Sequence, residues 1–277
     1  MPTWRKILYE SQPFDDSYVD ATFLEQLRTN TNVKDHDYVG MVKSTAAITQ
    51  QICAVLSFFA VFVFIEEGAI SATALGSLDV ALALVGIVYL RLVLKYPLDI
   101  VDSLRSSLLF CATLSLLSPV LRTLTRSFAD DTIWALAILF AFIHLISHDY
   151  SYVNSGIGRG TISLNAATFT AVLLGSRLHS NEQVFAFILL AIEVFAVFPM
   201  FQQAVKRHSE RTHLIIAISM FLLSSVLTYR ISVPLSFVSS FIVVFVAFVC
   251  PLWFMHVQEY KNEILGPWDI VHVQPEQ

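Results

Sequence analysis

Thr45-Ala46-Ala47-Ile48-Thr49-Gln50-Gln51-Ile52-Cys53-Ala54-Val55-Leu56-Ser57-Phe58-Phe59-Ala60-Val61-Phe62-Val63-Phe64-Ile65 is the stretch that decides the fold class. It carries no charge, and about 20 such residues in a helix cross the roughly 30 Å hydrocarbon core of a bilayer. Outward from it, uninterrupted apolar length predicts further spans at 74–94, 104–121, 131–148, 161–178, 183–201, 212–229 and 233–257. Composition agrees, since 56% of the 277 residues are hydrophobic and only 14% are charged, against roughly 25% charged in soluble domains. With 9 Gly, 9 Pro, 3 Cys and 22 Phe, the chain is neither collagen-like, nor a disulfide scaffold, nor disordered. The expected fold class is an all-α, polytopic integral membrane protein of about eight transmembrane helices. A cytosolic N-terminal arm (1–44), a helical bundle (45–257) and a cytosolic C-terminal tail (258–277) make up its organisation.

Orientation follows from the loop cations. With eight spans, thirteen Lys and Arg fall on the side of the termini. Only Arg122, Arg126, Arg177 and Arg230 fall on the other. Both termini are therefore expected in the cytosol. No early apolar run follows a basic start, so the first span is expected to target the chain to the membrane. Cys53, Cys111 and Cys250 are widely spaced in apolar runs and are read as buried small hydrophobes.

Within the spans, polar residues and prolines mark packing. Span three is bounded by Arg105 and Arg122 and carries Pro119. It is expected to be tilted, kinked or partly re-entrant and packed inside the bundle, where neighbours satisfy the carbonyl that proline frees. Asp79 in span two and Glu193 in span six are costly in lipid. Glu193 is read as protonated, bonded to Asn165 or His144, or paired with a partner subunit, and as structural polar glue rather than part of a proton relay.

The arm is not a random tail. Over residues 17–28, Phe23, Leu24 and Leu27 share a helical face that Ser17 or Asp20 can cap, and Trp4, Ile7 and Leu8 extend its apolar surface. With few cations on the polar side, a docking arm is preferred to a lipid anchor.

The usual catalytic signatures are missing: there is no Cys-x-x-Cys, Gly-x-Ser-x-Gly, Walker loop or His-Glu-x-x-His. His144 and His148 lie one helical turn apart at the end of span four and suit a shared metal ion, with Asp149 or Glu193 as third ligand. The competing and preferred reading makes His148, Asp149 and Tyr150 interfacial and gives His144 an interhelical hydrogen bond. Gly156-Ile157-Gly158-Arg159-Gly160-Thr161 ends at a helix start, where free N–H groups and Arg159 suit a phosphate. An ordinary turn with one positive residue is the preferred reading there.

Residues along the whole chain resemble one family, the PIG-C type subunit of the enzyme that transfers N-acetylglucosamine from UDP-GlcNAc to phosphatidylinositol in GPI-anchor synthesis. They are Trp4-Arg5-Lys6-Ile7-Leu8-Tyr9-Glu10, Gln12-Pro13-Phe14, Tyr18-Val19-Asp20, Phe23-Leu24, Ser118-Pro119-Val120-Leu121, Leu124-Thr125, Asp131-Thr132-Ile133, His144-Leu145, Asp149-Tyr150, Ser163-Leu164-Asn165, Ser176-Arg177-Leu178, Asn262-Glu263-Ile264 and Gly266-Pro267-Trp268-Asp269. The resemblance implies a multispan endoplasmic reticulum protein without catalytic residues, metal or cofactor. It also implies a catalytic glycosyltransferase subunit of PIG-A type, small membrane subunits of PIG-H, PIG-P and PIG-Q types, and phosphatidylinositol as partners, with no nucleic acid. The residues agree on catalysis, because 44 arm residues and about 20 tail residues are too few to build a nucleotide-sugar fold.

His148 and the glycine loop depart from the family pattern, which weakens the metal and phosphate readings. What remains is a groove for phosphatidylinositol, shaped by His144, Asp149 and Asn165, with Arg159 and Glu193 as further lipid or packing candidates. Trp4, Phe14, Phe23, Leu24, Leu27, Pro267 and Trp268 are the candidates for docking a partner. Two alternatives from other classes are a metal-dependent lipid hydrolase using His144 and His148, and a lipid or solute transporter using Asp79 and Glu193.

Overall fold

A computed structural model describes residues 11–15, 18, 28–29, 37–93, 95, 100–125, 127–150, 159–258 and 264–265. It contains eight helical rods: α1 (Tyr38–Glu66), α2 (Ala72–Leu92), α3 (Ile100–Thr123), α4 (Asp130–Ser147), α5 (Arg159–Gly175), α6 (Asn181–His208), α7 (Glu210–Ile231) and α8 (Val233–Gln258). Seven are long and apolar enough to cross a membrane; α5, at 17 residues, is shorter. The eight predicted spans coincide with these rods. α1 starts seven residues before the predicted boundary and α6 runs seven beyond it, because charged and amide residues at those ends continue the helix after its apolar stretch stops.

The chain divides into two compact units, residues 39–251 and the two ends, 1–38 with 252–277. In the first unit, α1 is the most buried of the seven long rods. Phe58 stacks on Phe187 of α6 at 4.5 Å and meets Phe195 edge-on at 5.0 Å, while Phe62 meets Trp134 of α4 at 5.4 Å. Lys43, near the start of α1, forms a 3.0 Å ion pair with Glu210 at the start of α7. Since α7 and α8 make one excursion across the unit and back, α1 begins on the side toward which α8 runs. An even number of crossings then requires α5 to count as one.

Contacts along α5 agree with that count. Ser163 near its start meets His144 near the end of α4, Thr170 Oγ1 lies 3.4 Å from the Ala137 carbonyl, and Ser176 just past its end meets Thr125 before α4. Small residues let the two backbones approach: Ala137 and Ala141 on α4, Ala166, Ala167 and Ala171 on α5, all buried. This is the small-residue packing expected of helices in lipid, where burial of apolar surface no longer drives association.

In the second unit, Arg28–Thr29 pairs antiparallel with Ile264–Leu265, Arg28 opposite Leu265 and Thr29 opposite Ile264. The arm and the tail therefore meet through backbone hydrogen bonds. Arg28, at the end of the predicted amphipathic helix, is a strand residue; Phe23, Leu24 and Leu27 lie outside the described residues.

Beyond Pro234, which is in the first turn of α8 where proline costs no hydrogen bond, three prolines sit inside rods, and each has a local solution. α3 is continuous through Pro119, and the Ser115 carbonyl four residues earlier accepts from Ser118 Oγ at 3.0 Å. The expectation that α3 is packed inside the bundle is overturned, for Leu116 is 82% exposed and, among the residues of α3 whose burial is described, Leu114 and Ser118 are the buried ones. Its own serine, not a neighbouring helix, satisfies the freed carbonyl. Pro199 and Pro251 each follow a five-residue π-helical segment, Glu193–Val197 and Phe245–Val249. A proline ring collides with the carbonyl four residues back, and a widened turn relieves that collision. For Pro251 that carbonyl is Ala247 O, which accepts from Thr45 Oγ1 at 3.2 Å. No disulfide forms among the described residues. Cys53 is buried as expected, but Cys111 and Cys250 are only half-buried.

Candidate functional site

In the half of the helical unit where α1 begins, α1, α4 and α5 bring a polar cluster together inside the bundle. His144, one turn from the end of α4, is 1% exposed. Its Nδ1 lies 2.9 Å from the Ser163 carbonyl and 2.9 Å from Ser163 Oγ, and its Nε2 lies 2.7 Å from Gln51 Nε2. One tautomer fits these contacts: Nδ1–H donates to Ser163 and Nε2 accepts from the Gln51 amide. Ser163 Oγ donates in return to the His144 carbonyl at 3.3 Å. The imidazole also packs edge-on against Phe195 at 4.9 Å, in the π-helical turn of α6. The expected interhelical bond of His144 is present, and it joins three rods.

His148 caps the cluster just past the end of α4. Its Nδ1 is 3.4 Å from Ser163 Oγ, and its ring contacts His144 at 5.5 Å and Tyr150 at 4.9 Å. Burial, and to a lesser degree the neighbouring His144, holds its pKa down to about 4, with Asp149 partly offsetting both. It is neutral at physiological pH. Tyr150 Oη donates to the Leu145 carbonyl at 2.6 Å, folding the chain back over the end of α4. Among the described residues no third His, Cys, Asp or Glu joins the two histidines.

The predicted convergence of His144, Asp149 and Asn165 is not what the rods produce. Ser163 faces His144, and Asn165, two residues on, is exposed on the opposite side of α5. Asp149 is half-buried at the end of α4, beside His148. Glu193 is bonded to neither Asn165 nor His144: its Oε2 is buried without a partner. Asp79 of α2 is fully buried with both carboxyl oxygens unpartnered, and α2 packs against the π-helical turn that carries Glu193. Arg159 opens α5, but its side chain lies outside the described residues, as do Trp4, Phe23, Leu24, Leu27, Pro267 and Trp268. Phe14 is described and packs on Tyr18 at 4.5 Å.

Sequence reasoning missed Gln51 and its neighbour Gln50, whose Nε2 donates to the His213 carbonyl at 2.8 Å. Two adjacent amides inside an otherwise apolar span were the available signal. It also missed a second polar cluster at the far ends of α4 and α5. There Arg177 Nη2 donates to the carbonyls of Phe128 at 2.5 Å and Thr125 at 3.3 Å, and Nη1 lies 3.1 Å from Asp130. Thr125 Oγ1 and Ser176 Oγ are 2.5 Å apart, and Arg122 Nη1 donates to Asn181 Oδ1 at 3.2 Å. The α4–α5 pair is thus fastened at one end by His144 and Ser163 and at the other by Arg177, Thr125 and Ser176.

These fastening residues fall in the stretches that carry the family resemblance, and comparison with known proteins agrees. The family model described as phosphatidylinositol N-acetylglucosaminyltransferase matches residues 4–269. A Dictyostelium discoideum relative is 41% identical over 272 residues, covering 96% of this chain and 78% of its own length. Relatives in Mus musculus and Homo sapiens, both named as the C subunit of phosphatidylinositol N-acetylglucosaminyltransferase, are 35% and 33% identical, each covering 98% of this chain and 93% of its own. No solved structure matches the chain. With the match running through nearly every residue, the chain belongs to the GPI2 family, phosphatidylinositol N-acetylglucosaminyltransferase, as a polytopic membrane protein akin to the C subunits named in its relatives.

Proposed function

We propose that this chain is a non-catalytic membrane subunit of the complex that transfers GlcNAc from UDP-GlcNAc to phosphatidylinositol, the first step of GPI-anchor synthesis. It scaffolds the complex in the endoplasmic reticulum membrane with both termini in the cytosol, and it helps present the lipid acceptor to a catalytic subunit of PIG-A type. Small membrane subunits of PIG-H, PIG-P and PIG-Q types complete the assembly. The observation that carries this reading is how His144 is used. It is buried, with both ring nitrogens engaged by Gln51 and Ser163, and it joins three helices instead of facing a substrate. A histidine held this way fixes helix packing and has no free nitrogen with which to accept a proton from a reacting group.

The paired arm and tail support a cytosolic docking platform, since their β pairing brings Arg28 and Leu265 opposite one another. Trp4, Phe14, Pro267 and Trp268 are the side chains proposed to meet the catalytic subunit. For the lipid, the mouth of the α4–α5 pair is the proposed approach, with His148 and Asp149 at its rim, His144 fixing its floor and Arg159 offered to the phosphate.

Steady-state kinetics of the purified complex test the division of labour. His144→Ala and Asp149→Asn are expected to raise the KM for phosphatidylinositol while leaving the KM for UDP-GlcNAc and the partner content unchanged. A raised KM for UDP-GlcNAc, or loss of turnover from a fully assembled complex at saturating lipid, would contradict the non-catalytic reading. Unchanged kinetics in both variants would remove the lipid role.

A further inference from the structure

One polar group in the bundle has no place in the site described above. Asn165 sits six residues into α5, nearly two helical turns from the rod's start. Its side chain is exposed and forms no hydrogen bond among the described residues. Thr161 and Thr168, four before and three after it, are exposed with it, so the outer face of α5 carries a polar stripe at helical spacing. The inner face is fully used: Ala166, Ala167, Thr170, Ala171 and Leu174 are buried in the unit.

Several other exposed polar groups on the rods are provided for. Thr113 and Ser219 donate to carbonyls of their own helices, at Leu109 and Ile215, and Thr168 does the same to Leu164. Arg91, Arg122, Arg211 and Arg230 stand at rod ends, where water and headgroups reach them. An asparagine amide cannot serve itself in this way. It brings two donors and an acceptor, and acyl chains offer neither in return. A rod only 17 residues long adds a second pressure, because a helix shorter than the hydrocarbon thickness is favoured by association with other helices.

We propose that the outer face of α5 seats a transmembrane helix of a different subunit, whose hydroxyl or amide side chain pairs with Asn165. The hydroxyls of Thr161 and Thr168 flank that contact, and the partner helix presents small residues to them. Their spacing, one turn above and below the amide, is the pattern by which helices associate closely in lipid. The proposal rests on the scaffold reading, and it assigns to that reading a specific surface.

Site-specific photo-crosslinking in native membranes tests it. Asn165→p-benzoylphenylalanine is introduced into the full chain, with Val238→p-benzoylphenylalanine, a 57% exposed position on α8, as the lipid-facing comparison. Position 165 is expected to crosslink to another protein of the complex, and position 238 to lipid. Adducts of position 165 with lipid alone, or with a second copy of this chain, would overturn the surface assignment. Co-purification of the wild-type complex is measured in parallel. A complex that assembles while position 165 touches only lipid rejects this surface and leaves the scaffold, whereas absence of any co-purifying subunit rejects the scaffold itself. Asn165→Leu provides the second readout: the chain is expected to insert and remain monodisperse while retaining at least threefold less partner, and undiminished partner content would count against the proposal.

Discussion

Replacing Arg177 with alanine removes the tie between the two loops at the far end of the α4–α5 pair. The guanidinium donates to the carbonyls of Phe128 and Thr125 and pairs with Asp130, and its side chain is 17% exposed whereas that of Asp130 is 79% exposed. Hydrogen bonds from a charged donor contribute about 1.5–3 kcal/mol each. The contact to Phe128 is short and the one to Thr125 long, so the two together are worth about 2–4 kcal/mol. The ion pair adds about 1 kcal/mol at most, because its carboxylate is in water. Arg177→Ala is therefore expected to destabilise the chain by about 2–4 kcal/mol, and Asp130→Ala by about 1 kcal/mol or less. Arg177→Lys falls between, since an ammonium keeps the charge but cannot reach both carbonyls with one planar fork. Unfolding of the detergent-solubilised chain by sodium dodecyl sulfate measures all three. An Asp130→Ala cost as large as that of Arg177→Ala, or an unfolding midpoint unchanged in Arg177→Ala, would refute this role of Arg177.

Three further outcomes are expected from the same preparation. In a double-mutant cycle, His144→Ala and Gln51→Leu should couple by about 0.6–2 kcal/mol, the range for hydrogen bonds between helices in lipid; strictly additive effects would remove the bond. Ser118→Ala should cost about 1 kcal/mol in the presence of Pro119 and less in a Pro119→Ala background, where the Ser115 carbonyl regains its backbone donor. For pH, burial lowers the His148 pKa to about 4 from its ordinary 6.5, so the unfolded chain binds a proton first as pH falls. Stability is therefore fully present above about pH 6.5 and is lost as pH falls toward 4; His148→Gln should flatten that part of the profile, and an unchanged slope would exclude His148 as its source.

The rods are legible in the sequence because a helix in lipid must satisfy its own backbone and carry apolar residues for its full length, so uninterrupted hydrophobic stretches and helices coincide. The rod ends are less so. Lys43 and Ser44 stop the apolar stretch but not α1, and Gln202, Gln203 and Lys206 do the same for α6. Pro119 illustrates a different gap: proline demands a donor for one carbonyl, and the sequence does not say whether Ser118 or another helix supplies it. At the candidate site, His144 and Ser163 are visible as polar residues near adjoining rod ends, and their meeting follows from two antiparallel helices joined by a short connection. Gln51 comes from a rod 93 residues away, and nothing in its local sequence chooses His144 as its partner. Closeness along the chain groups Asn165 with His144, whereas the helical period turns Ser163 inward and Asn165 outward.

The most direct test of the central claim is transfer of labelled GlcNAc from UDP-GlcNAc to phosphatidylinositol in microsomes from cells depleted of this chain, with and without its re-expression. Transfer is expected to be lost on depletion, although the catalytic subunit is still present, and to be restored by re-expression. Full transfer in the depleted microsomes would contradict the account.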